Sequence, residues 1–119
     1  MRYLSAVLSL AFFTTSAMAI DPFTLPWKNH AISGMEYKSA DHPNGIFVIH
    51  HFWYGCGFSH DHEPNVIELA NEYLSESLVQ VLDVGLPTGE PDFQKWNEKF
   101  LPPYPVLEDK GRLALQTRN

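Results

Sequence analysis

Cysteine is nearly absent: the 119-residue chain has one, Cys56, so no internal disulfide can staple the fold and stability must come from a packed core. Positive charge is scarce. Eight basic residues against fourteen acidic ones give a net charge of −6, which leaves no reserve for gripping a phosphate backbone and excludes nucleic-acid binding. Internal repeats and low-complexity segments are missing, which excludes solenoids and fibrous classes. A long hydrophobic run is missing too. The longest, Leu4 to Phe13, spans about ten residues, whereas a membrane-crossing helix needs about twenty. What is present, 45% hydrophobic and 13% aromatic residues with 18% charged, describes one globular domain.

The N-terminal apolar run has a purpose of its own. Arg2, the run from Leu4 to Phe13 and the polar stretch ending Ala17-Met18-Ala19 form the three-part pattern of a secretory signal peptide, predicted to occupy residues 1–19 and to be cleaved after Ala19. Removal takes away Arg2 and no acidic residue, leaving seven basic against fourteen acidic residues, or −7. No membrane span remains after cleavage, and the expected location is periplasmic or secreted. In such an oxidising compartment cysteines usually come in pairs, so a solitary Cys56 requires a reason.

Residues 20–44, rich in Pro, Asn, Gly and His and weak in periodicity, read as an irregular lead-in closing in the turn His42-Pro43-Asn44-Gly45. The folded domain is expected over 45–119. Ile46 to Trp53 is a β-branched and aromatic run that predicts a buried central strand. From Pro64 to Ser77, Val66, Ile67, Ala70, Tyr73 and Leu74 recur at helical spacing, opposite Glu68, Asn71, Glu72 and Glu76. Leu78 to Val84 is a second strand. After the loop Gly85 to Gly89, Pro91 to Leu101 places Phe93, Trp96 and Phe100 on one face of a second helix. Pro105 to Leu107 is a short strand, Asp109 to Gly111 a turn, and Arg112 to Gln116 a short strand or helix. Strand alternating with helix predicts an α/β fold with parallel pairing, in which active groups gather at the C-terminal ends of strands.

Cys56 stands at such an end, in a glycine-flanked loop leading from strand to helix. The positive end of a helix dipole and unpaired N–H groups favour thiolate over thiol, which makes a cysteine there a nucleophile; a buried cysteine packs inertly instead. The polar residues Ser59, His60 and Asp61 argue against full burial.

The stretch Phe52-Trp53, Cys56-Gly57-Phe58-Ser59 and Glu63-Pro64 resembles the thioredoxin superfamily pattern of a Phe-Trp strand end, a Cys-x-x-Cys motif opening a helix, and a helix-kinking proline. Leu82-Asp83-Val84, the helix around Trp96, and Tyr104-Pro105-Val106-Leu107-Glu108-Asp109-Lys110-Gly111 are similar to the exported TlpA-like (redoxin) branch. The resemblance covers about Gly45 to Asn119. It implies a thioredoxin-like three-layer fold, a central β-sheet flanked by helices, and thiol–disulfide oxidoreductase activity on protein or small-molecule thiols and disulfides, with no cofactor and no resident metal.

Two departures qualify it. The family's second cysteine is Ser59, whose hydroxyl cannot resolve a mixed disulfide, so Cys56 would act as a single nucleophile without cycling as a dithiol. The family also has a cis-proline facing the cysteine. Either Pro105 is that proline, or Tyr104 to Leu107 is the stretch before it, as the redoxin-like spacing favours, and the chain lacks the C-terminal hairpin and helix.

The resemblance makes Cys56 the attacking thiolate. Ser59 is then a hydrogen-bond donor to the sulfur, and Trp53, Tyr54 and Phe58 a contact surface for substrate. Residue spacing adds His60, one turn beyond Cys56, as a stabiliser of the thiolate or proton shuttle. Cys56-Gly57-Phe58-Ser59 also matches the active-site tetrapeptide of monothiol glutaredoxins, which hold an iron–sulfur cluster with glutathione; those are cytosolic or organellar and lack the Phe-Trp-Tyr-Gly lead-in. Four of the six histidines, His50, His51, His60 and His62, bracket Cys56 and raise an alternative: a non-enzymatic binding module carrying a metal through Cys56 and His60. His50 and His51, adjacent on a strand, point to opposite faces, so at most one can join such a site.

Overall fold

The computed structural model describes residues 21–110; the segment 1–19 and the element expected at Arg112–Gln116 lie outside them. Three parallel strands, β3 (Ile46–Phe52), β4 (Val79–Gly85) and β5 (Val106–Glu108), form a sheet in the order β3-β4-β5. Preceding them, β1 (Thr24–Pro26) and β2 (Glu36–Lys38) form an antiparallel ribbon. Helix α1 (Gly57–Glu72) connects β3 to β4, and α2 (Glu90–Phe100) connects β4 to β5.

Because side chains alternate along a strand, β4 sorts the core into two halves. Leu82 and Val84 point to one face, where they meet Leu25 and Tyr37 of the ribbon and Leu107 of β5. On the other face Val81 packs with Ala70 of α1 and Tyr104, and Asp83 reaches Trp96 of α2. Both described helices therefore cover one face of the sheet, and the third layer is the β ribbon. Phe52 and Trp96 stack at 4.0 Å between ring centroids, with Phe93 and Val106 completing that cluster. Gly85 is required here: a Cβ would stand 2.6 Å from Phe52 and 2.8 Å from Phe93.

Three sequence expectations change. The lead-in is not wholly irregular. Leu25 and Tyr37 pair in register and are both buried, and the Asn29 side chain ties the ribbon's end to β5, accepting from the Val106 N–H at 2.8 Å and donating to the Tyr104 carbonyl at 2.9 Å. Next, β4 and not β3 is the central described strand. The continuous apolar run in β3 suggested burial on both sides, yet Ile46 is largely exposed, and it is β4 that runs buried from Val81 to Gly85. Finally, α1 begins at Gly57, as the family resemblance implied, and not at Pro64, which lies inside the helix. It ends at Glu72, so Tyr73 and Leu74, assigned by periodicity to its apolar face, fall beyond it and are exposed.

The segment around Pro105 is also fixed. All described peptide bonds are trans, and β5, which follows Pro105, pairs parallel with β4 through Asp83↔Val106 and Val84↔Leu107. This is a strand reached by a helical crossover, matching the redoxin-like spacing.

Candidate functional site

Strand β3 delivers its C-terminal end, Phe52, to the core and then turns. The Cys56 N–H donates to the Trp53 carbonyl at 2.9 Å, closing a tight turn that leaves Cys56 as the N-cap of α1. Its carbonyl accepts from the Ser59 N–H at 3.1 Å, the first turn of the helix. The thiol is partly exposed and, while neutral, makes no capping hydrogen bond. Ionised, it gains what an N-terminus offers: the Ser59 N–H first, then the Ser59 hydroxyl and the Phe58 N–H favour the thiolate and hold the thiol below its ordinary pKa against a small opposing effect of desolvation.

Ser59 is held in place for this. It is buried, and its Oγ accepts from the Trp53 N–H at 3.2 Å, leaving the hydroxyl hydrogen for the sulfur. Around the cysteine, Trp53 is 48% and Phe58 74% exposed, an apolar rim with solvent on it, whereas Tyr54 packs partly against the Phe52–Trp96 cluster. His60 is engaged elsewhere. Its Nε2–H donates to the Tyr54 carbonyl at 2.6 Å and its Nδ1 accepts from the Lys99 ammonium at 2.7 Å, with the ring among Tyr54, Trp96 and Phe100. Neither nitrogen is left for the sulfur. The expected thiolate–imidazole pair is replaced by a clamp between α2 and the loop before Cys56.

Deeper under the same helix is a cluster that sequence reasoning did not assemble. Glu63 lies seven residues after Cys56, two turns or about 10 Å along α1 on the same face. It is fully buried, as is Asp83 of β4. His50 of β3 is the register partner of Asp83, and its Nδ1 stands 3.0 Å from Asp83 Oδ1 and 3.1 Å from Glu63 Oε2. The remaining carboxylate oxygens are also occupied: the Tyr104 hydroxyl donates to Glu63 Oε1 and the Trp96 indole N–H to Asp83 Oδ2 at 3.0 Å. Burial alone would lower the His50 pKa, but hydrogen bonds to Asp83 and Glu63 outweigh it and push it up to about 9. Burial and the neighbouring Glu63 raise that of Asp83, and burial together with both carboxylates raises that of Tyr104, which stays a donor. The signal that could have found the cluster was His50 and Asp83 on one face of neighbouring strands, two charges where the pattern called for apolar residues.

The sequence matches no protein-family model and no curated protein. Its structure is similar to a secreted disulfide oxidoreductase of Mycobacterium tuberculosis homologous to Escherichia coli DsbE, with TM-score 0.66 and 16% identity over 80% of this chain and 66% of that one. A thiol-disulfide oxidoreductase from Bacteroides fragilis superposes with TM-score 0.70 and 14% identity over 84% of this chain and 74% of that one. A secreted thiol-disulfide isomerase from Corynebacterium glutamicum does so with TM-score 0.71 and 12% identity over 84% and 61%. The chain thus has the α/β fold of thioredoxin-like proteins, as its motif implied, and spans between about three fifths and three quarters of these neighbours' lengths.

Proposed function

We propose that the chain is an exported thiol–disulfide exchange protein acting through one nucleophilic cysteine. The Cys56 thiolate attacks one sulfur of a substrate disulfide; a new S–S bond joins Cys56 to that sulfur, and the other sulfur leaves as a thiolate that takes a proton from water. An external thiol then attacks the mixed disulfide and restores Cys56, because Ser59 cannot do so. Trp53, Tyr54 and Phe58 supply the contact surface for the substrate chain, with Trp53 and Phe58 its exposed part. Export rests on the signal-peptide pattern of residues 1–19.

The observation that carries this reading is a partly exposed cysteine capping a helix at the end of a parallel strand, with Ser59 poised to donate to its sulfur. Incubation of the reduced chain with oxidised glutathione, followed by intact mass measurement, tests it. One glutathione adduct should form, be removed by excess reduced glutathione, and be absent from Cys56→Ser. Failure to form an adduct that excess thiol reverses overturns the proposal. The alternative of a metal carried by Cys56 and His60 has no support in the geometry, since both His60 nitrogens are already engaged.

A further inference from the structure

The geometry points to a divalent transition-metal site, of the zinc class, formed by His50, Glu63 and Asp83 beneath helix α1 and separate from Cys56. Three ligand atoms of the right kinds converge there: an imidazole nitrogen and two carboxylate oxygens, all within 4.8 Å of one another. Ligands bonded to zinc at about 2.0–2.2 Å and spread tetrahedrally stand about 3.3–3.6 Å apart. Nδ1 is 3.0 Å and 3.1 Å from its two carboxylate partners, so small outward movements of the side chains would admit an ion at their centre.

Charge and outer contacts agree with this. A metal takes His50 as the neutral imidazole, displacing the proton it otherwise holds between the carboxylates; with Glu63 and Asp83 ionised the three side chains then carry −2, which one divalent cation cancels. Without an ion, Nδ1 carries at most one hydrogen and faces two carboxylates, so one close contact lacks a proton of its own or a carboxyl must hold one. Two buried carboxylates packed together with a single imidazole are costly to keep in a core that could hold apolar side chains. The oxygens turned away from the shared point are already occupied by the Tyr104 hydroxyl and the Trp96 indole, the kind of outer hydrogen bonds that orient metal-binding carboxylates. The ligands come from β3, α1 and β4, so their backbones are set by the fold. Access runs past His50, the one partly exposed member, at 13% of its side chain.

The test uses the full chain carrying Cys56→Ser, so that no thiolate can contribute and the result is independent of the thiol chemistry. Equilibrium dialysis against zinc should give one tightly held ion per chain, and cobalt should produce visible ligand-field bands without a thiolate charge-transfer band. Glu63→Gln and Asp83→Asn, close to isosteric, should each weaken uptake about 100-fold or more, and Tyr104→Phe by about tenfold through its outer contact. Zinc should raise the melting temperature of Cys56→Ser and leave that of Asp83→Asn unchanged. No uptake by Cys56→Ser overturns the site whether or not the other variants fold. So does uptake that survives Asp83→Asn, which would place the ion on surface histidines.

Discussion

Ser59 occupies the position where the thioredoxin-like pattern has its second cysteine. Its hydroxyl accepts from the Trp53 N–H and, with its own N–H, favours the ionised form of Cys56. Exchange rate follows the thiolate fraction, so a lower pKa moves the rise in reactivity to lower pH. Ser59→Ala removes one donor and keeps the backbone N–H. The expected outcome is a shift of the Cys56 alkylation profile to higher pH, by less than the full distance to a free cysteine. No shift would assign the lowering to the backbone alone. At this scale the sequence was half legible. Cys56 and Ser59 were marked by position and motif, but His60 was given to the sulfur because it lies one turn away, and Tyr54 and Lys99 claim both its nitrogens. Spacing along a helix fixes which face a residue occupies; it does not choose between partners competing for it.

The elements show a similar division. Strands β3 and β4 and helix α2 were readable because their apolar periods are strong, and α1 was read late because Pro64 suggested a helix start when it lies within one. The ribbon was missed for a physical reason: each of its strands is three residues long, too short to show an alternation, and its burial comes from one residue in each, Leu25 and Tyr37. Leu25→Ala is expected to cost about 2–5 kcal/mol in a chemical or thermal unfolding measurement, the range for a leucine truncated in a packed core. A change within about 0.5 kcal/mol would mean that the ribbon is surface, and that the lead-in is as irregular as its composition suggested.

At the scale of the whole molecule, the described residues form an α/β sheet with two helices on one face and a ribbon on the other, which brings two unlike features close together. One is a partly exposed cysteine at the helix tip, ringed by Trp53 and Phe58. The other is a buried polar centre two turns below it, to which β3, β4 and α1 each contribute a residue. The first was legible because local features create it: a strand end, a glycine-flanked loop and a helix start. The second was not, because His50, Glu63 and Asp83 are thirteen and twenty residues apart in sequence and meet only through the parallel pairing of β3 with β4 and the crossover between them. The reading of the chain as a thiol-exchange protein stands on the first. Its most direct test is the pH dependence of Cys56 alkylation in the reduced full chain. The account predicts a midpoint below about 8.5, the value of an unperturbed cysteine, and a midpoint at or above it would contradict the claim that the fold activates this thiol.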